Sequence, residues 1–310
     1  MALGTNNVTT TTAAKFIPEI WSDEIVAAYK QNLVAANLFS KMSFKGKKGD
    51  VLHIPKPTRG AASAKAASTQ VTLIAATENE ILLNINKHYE YSRFIEDIVE
   101  TQALSSLRKF YTDDAGYAIA KQVDTDLIRL GRTAGTGTAY STAATATNAF
   151  IGSTGAVAYN STSSNAVALG DAGIRRSIQR LDDADVPMSD RMLIVPPTTR
   201  NTLMGIARFT EQSFTGEVGS SNTIRNGMVG DVYGVKVYVS TNADNGAGNS
   251  GADRICLLAH KDAFVLAEQM GVRSQTQYKQ EWLATLFTTD MLYGIAELRD
   301  DSAVALAVPA

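Results

Sequence analysis

Chemistry has few places to start in this chain, because 310 residues include only three histidines and one cysteine. His53, His88 and His260 stand far apart, and none lies in a His-Glu-x-x-His or comparable spacing that would aim two imidazoles at one metal. They read as solvated or structural histidines. Cys256 lies in the apolar run Ile255-Cys256-Leu257-Leu258, where a thiol packs as a small hydrophobe. A lone cysteine also excludes an intrachain disulfide and a multi-thiolate metal site. No Gly-x-Ser-x-Gly sequence is present to raise a serine on a nucleophile elbow.

Two patterns come closer to a site. Gly246-Ala247-Gly248-Asn249-Ser250-Gly251 matches Gly-x-Gly-x-x-Gly letter for letter. A dinucleotide fingerprint needs that loop to open a helix whose N-terminal amides hold the pyrophosphate. Gly251 instead leads within a few residues into Arg254 to Ala259, which reads as a strand. Gly227, Gly230 and Gly234 meet the same objection, since they lead into the strand Val235 to Val239. The other pattern is acidic. Asp182, Asp183 and Asp185, like Asp300 and Asp301, lack the spacing of a calcium loop and read as solvated surface charge. The expectation is therefore a chain with no catalytic, cofactor-binding or metal-ligating residue, and not an enzyme.

Composition narrows the class further. Hydrophobic residues at 45% and charged residues at 19% describe a globular protein. Lys plus Arg total 29 against 31 Asp plus Glu, a formal net charge of -2, with no basic stripe. Any nucleic acid near this protein is therefore bound weakly. No apolar run approaches the roughly 18 residues of a membrane span, and the N-terminus lacks a basic-then-apolar leader. Synthesis and folding in the cytosol are expected.

The elements that would position any site come in an unusual order. Residues 1–14 are rich in Thr, Ala and Asn and read as a flexible arm; a short amphipathic helix follows, from Pro18 through Ile20, Trp21, Ile25, Val26, Tyr29 and Leu33. Residues 45–94 read as a long two-stranded excursion, out through Val51 to Pro55 and back through Val71 to Ile74 and the alternating Ile81, Leu83 and Ile85. Its tip, Arg59 to Gln70 around Lys65, is mostly Ala and Ser. An isolated ribbon is marginal in water, so another chain should support it. From Glu96 to Leu130, apolar residues at helical spacing (Leu104, Leu107, Tyr111, Ala115, Ile119, Val123, Leu127 and Leu130) predict one helix. A helix of that length would span roughly 50 Å. Gly116 interrupts it and would permit a bend. Residues 131–168 have few charges and little periodicity and read as a surface insertion, with Phe150, Ile151 and Val157 offering a short hairpin. The remainder is α/β: a helix from Asp171, a buried strand Met192 to Val195, a helix Thr198 to Ala207, strands Val235 to Val239 and Arg254 to Ala259, and closing strands Leu292 to Leu298 and Ala303 to Val308.

That order of parts resembles the tailed-phage major capsid family, the Hong Kong 97-like fold. Local sequence agrees. Gly230-Asp231-Val232-Tyr233-Gly234 through Val239-Ser240 is similar to the family's Gly-x-x-x-Gly-x-x-Val-x-x-Ser strand entry. Ala259-His260-Lys261-Asp262-Ala263-Phe264 is similar to the strand exit after it, and Leu292-Tyr293-Gly294 through Leu306 to the usual ending. The resemblance implies an α+β fold divided into an N-terminal arm (1–44), an extended loop (45–95), a peripheral domain (96–132 and 270–310), the insertion (133–168) and an axial domain (169–269). It implies self-assembly through hexamers and pentamers into an icosahedral head enclosing the phage genome, within a virion built in the host cytoplasm. The extended loop would lie over a neighbouring subunit through Arg59, Lys65 and Gln70. Leu107, Gly116, Ile119, Val123 and Leu127 would form the spine helix. The absence of a long charged helical N-terminal region implies a separate scaffolding protein, beside a portal and a decoration protein, with no membrane and no cofactor. Two other readings stay open: an encapsulin-like compartment around cargo enzymes, and a nucleotide-dependent α/β enzyme.

Overall fold

The computed structural model describes residues 34–57, 60–71, 73, 78–97, 107–134, 149–206, 209, 230–244 and 253–310. The first element, α1 (Ala35–Leu38), leads into β1 (Ser40–Ser43). Strands β2 (Val51–Pro57), β3 (Glu78–Asn84) and β4 (Lys87–Glu96) precede the long helix α2 (Leu107–Arg129). Next come β5 (Ala149–Ile151), α3 (Asp171–Asp183), β6 (Arg191–Val195), α4 (Pro197–Met204), β7 (Asp231–Val232) and β8 (Val235–Val239). The chain closes with β9 (Asp253–His260), β10 (Phe264–Lys279), β11 (Ala284–Glu297) and β12 (Ala303–Pro309).

These strands make a six-stranded sheet ordered β5-β12-β9-β6-β8-β7, a four-stranded sheet ordered β1-β10-β11-β4, and the separate ribbon β2-β3. Every residue of β6 is buried, which a strand needs when both faces of its sheet are covered. Alternation then sorts its side chains. Met192 and Ile194 pack with Ile119, Val123 and Leu127 of α2. Leu193 and Val195 face the other way, toward Ile174 and Leu181 of α3 and Leu203 of α4. The α2 cluster also takes in Phe264 and Leu266 of β10 and Met291 and Tyr293 of β11. One helix thus packs against both sheets.

Three expectations need correction. The first concerns 133–168. Residues 135–148 lie outside the described residues, but 149–168 are not a detachable surface insertion. Strand β5 pairs in parallel with β12, with Ala149, Phe150 and Ile151 opposite Ala305, Leu306 and Ala307. Tyr159 is fully buried and donates its hydroxyl proton to Asp253 at 2.7 Å. A Cβ added at Gly173 would collide with the Gly152 carbonyl. Small side chains here permit close approach of backbones, so scarcity of large apolar residues was compatible with a packed segment. The second concerns the sheet assignments. Strand β12, expected in the peripheral domain, pairs with β9 inside the six-stranded sheet, whereas β10 enters the four-stranded sheet from Phe264. An all-apolar strand such as Ala303 to Val308 needs a site covered on both faces. Third, the extended loop does not run to residue 95: Lys87 to Glu96 are β4, antiparallel to β11. Glu96, expected to open the helix, lies in β4; the helix described from Leu107 is about 35 Å long.

Strand β11 starts earlier than the expected Leu292, and β10 has no counterpart among the expected strands. β10 and β11 form a long hairpin, broken by irregular register between Glu268 and Arg273, which blurs simple alternation.

Candidate assembly surfaces

The ribbon is anchored at one end only. Its strands pair from Val51↔Asn84 to Pro57↔Glu78. At the base Leu83 and Ile85 are buried with Val265 and Ala267 of β10, and the Gln269 amide donates to the Lys47 and Gly49 carbonyls at 3.0 and 2.9 Å. Lys56 lies 3.7 Å from Asp300, an exposed pair that adds little. Beyond Pro57 the support ends. Residues 60–70 are exposed throughout, Lys65 and Gln70 among them, and Leu73 is 88% exposed. Arg59, Thr72 and Ile74 lie outside the described residues, as does the helix expected from Pro18. Pro55 and Pro57 suit a strand whose outer edge has no sheet neighbour.

Along α2, Ile119, Val123 and Leu127 are buried, while Gly116 is exposed, with nothing within 4 Å of an added Cβ. Close packing is therefore not what requires glycine there. Leu107 is the first described residue of the helix.

Sequence reasoning passed over the acids on this helix. Asp124 is fully buried and accepts the Val34 and Ala35 backbone N–H groups at 3.0 and 2.6 Å. Its second oxygen accepts the Asn242 amide at 2.9 Å. Asp126 accepts the Tyr293 hydroxyl at 2.9 Å and the Gln122 amide at 3.0 Å, and pairs with the Lys87 ammonium at 3.0 Å. Burial, reinforced by Asp126, pushes the Tyr293 phenol above its ordinary range, so it stays a donor. Just past the helix, Arg132 clasps Asp244 through two 2.6 Å hydrogen bonds. The only sequence sign of these roles was an acid inside an apolar stripe.

A second exposed surface closes the far end of the four-stranded sheet. Trp282, 70% exposed in the β10–β11 turn, stands 6.3 Å from Phe94 of β4, with Leu283 and Tyr278 also exposed nearby. These side chains form an exposed apolar cluster at that end of the sheet.

The residues first considered for chemistry are held in structural roles. Burial pushes the Cys256 thiol up to about 12, so almost no thiolate is present near neutrality. His53 pairs with Glu80 at 2.8 Å, and His88 with Asp290 at 3.1 Å. Arg273 grips Asp290 with bonds of 2.7 and 2.9 Å and, with help from His88, holds that carboxyl down to about 2. His260 is buried and accepts the Asp262 backbone N–H at 3.2 Å. Asp182 pairs with Arg191 at 2.7 Å. Gly246 to Gly251 lie outside the described residues; Tyr233 and Gly234 make the turn joining β7 to β8. Among the described residues, no group of three or more His, Cys, Asp or Glu is placed to hold a metal, and no helix is long and apolar enough to cross a membrane.

With this geometry established, comparison with known proteins is informative. The family model described as "Phage capsid protein" matches residues 93–304. No match is found among curated proteins. The fold is similar to a solved structure from Mycobacterium phage Che8, at a TM-score of 0.75 and 22% identity, covering 98% of each chain. It is similar to the capsid structure of Cyanophage P-SCSP1u, at 0.75 and 18% identity, over 99% of this chain and 96% of that one. The capsid asymmetric unit of Cyanophage Pam1 gives 0.73 and 13% identity, over 99% of each.

Proposed function

The chain belongs to the phage capsid protein family, and on that premise we propose that it is the major capsid protein of a tailed phage, assembling through hexamers and pentamers into the head shell. The observation that carries the mechanism is the ribbon: a two-stranded extension with a buried base and an exposed tip, on a chain made to associate with copies of itself. Its tip lies over a neighbouring subunit in the assembled shell, through Arg59, Lys65 and Gln70. Burial of apolar surface at roughly 25 cal/mol per Å2, summed over many such contacts, drives closure.

The four-stranded sheet with α2 corresponds to the peripheral domain and the six-stranded sheet to the axial domain. Gly116 is where the spine bends most cheaply between precursor and mature shells. Assembly takes place in the host cytoplasm with a separate scaffolding protein; a portal and a decoration protein complete the head, and the near-neutral chain encloses DNA without gripping it. Chemistry has no part in this reading.

Negative-stain microscopy of the purified chain, alone and with its phage's scaffolding protein, tests it. Closed shells of uniform diameter are expected, filled with DNA when isolated from infected cells. Shells packed with cargo enzyme instead would make it an encapsulin-like compartment. A chain that stays monomeric under both conditions would overturn the assembly reading.

A further inference from the structure

Asp124 and Asp126 stand two residues apart on α2. At about 100° per residue their side chains leave the helix on nearly opposite sides. Each ends on the root of a different extension. Asp124 accepts the backbone N–H groups of Val34 and Ala35, the first described residues of the N-terminal arm. Asp126 pairs with Lys87, the first residue of β4, just past the end of the ribbon strand β3. The same two acids reach both sheets, through Asn242 after β8 and Tyr293 of β11.

Burying carboxylates is expensive, and hydrophobic residues would hold a helix between two sheets at least as well. Among the described residues, the donors to Asp124 are all neutral, which makes its burial harder to explain by stability alone. What a carboxylate adds is direction. Two backbone N–H groups sharing one oxygen fix the orientation of the peptides that carry them, as an N-cap does. Apolar packing would leave that orientation loose.

We propose that Asp124 and Asp126 are positioning residues for assembly: from one turn of α2 they set the directions in which the N-terminal arm and the ribbon leave the subunit. This rests on the reading that the ribbon meets neighbouring copies, and adds that the arm does so too. A small change of angle at the root of a long extension becomes a large displacement at its tip. Loss of either anchor therefore disturbs how shells close more than whether the subunit folds.

The test compares Asp124→Ala and Lys87→Met with Leu127→Ala in the full-length chain. Leu127 is buried on the same helix but touches neither root through a polar bond. Amide exchange at Val34 and Ala35 should become roughly tenfold faster in Asp124→Ala, the loss of about one good hydrogen bond. Asp124→Ala and Lys87→Met should assemble into open sheets or particles of mixed diameter. Leu127→Ala should give fewer shells of native diameter. Native-diameter shells from both anchor variants, or the same malformation in Leu127→Ala, would overturn the proposal. Should Asp124→Ala fail to fold, Lys87→Met against Leu127→Ala decides the proposal under the same criteria. A wild-type chain that forms no shells would instead remove the assembly reading itself.

Discussion

Gly116 and Leu127 share a helix but not an environment, and substitution should separate them. A methyl group at Gly116 meets open space and removes the backbone freedom that makes glycine a poor helix former. Gly116→Ala should raise the stability of the unassembled subunit by about 1 kcal/mol. Leu127 is fully buried among residues from both sheets, so Leu127→Ala should lose about 2–5 kcal/mol, according to how far the cavity collapses. Denaturant unfolding of the two variants checks both signs. A destabilised Gly116→Ala would show that this position needs glycine for a reason other than space.

At the scale of elements, the hairpin around β5 decides whether 149–168 belongs to the core. Tyr159 and Ile255 pack with Ala149, Ala305 and Ala307 along the edge of the six-stranded sheet. The Arg180 guanidinium lies over the Phe150 ring, 3.3 Å from its centre, and also donates to the Gly155 carbonyl. Tyr159→Phe should cost about 1–3 kcal/mol, because Asp253, itself buried, loses the hydroxyl it accepts from. Tyr159→Ala should cost more, in the range of about 3–5 kcal/mol seen for large aromatic truncations. Melting temperatures of the two variants measure this. Wild-type values for both would return the segment to the status of an insertion.

For the whole molecule, fold and assembly should be separable at the ribbon tip. The base is part of the subunit's own packing, whereas residues 60–70 contribute almost nothing to it. Deleting 60–70 should leave a subunit that melts as the wild type does but builds no normal shells. Calorimetry paired with negative-stain microscopy reads both halves. Normal shells from the deleted chain would exclude the tip as a contact.

Much of this was legible in the residues. Period-3.6 apolar spacing marked α2 and α3, and continuous or alternating apolar runs marked β6, β8, β9 and β12, because burial selects side chains one face at a time. Ala and Ser from Arg59 to Gln70 announced a tip without a core. Tertiary structure alone decided the rest, since pairing joins residues far apart in the chain. No local pattern places β12 between β5 and β9, or β4 beside β11. Phe150, Ile151 and Val157 marked the hairpin at Ala149 to Tyr159, but small residues concealed its place in the core, where close backbone approach takes the place of large side chains. No local pattern singled out Asp124 and Asp126 within the helix. Their partners at positions 34, 35, 87, 242 and 293 become neighbours only when the chain has folded.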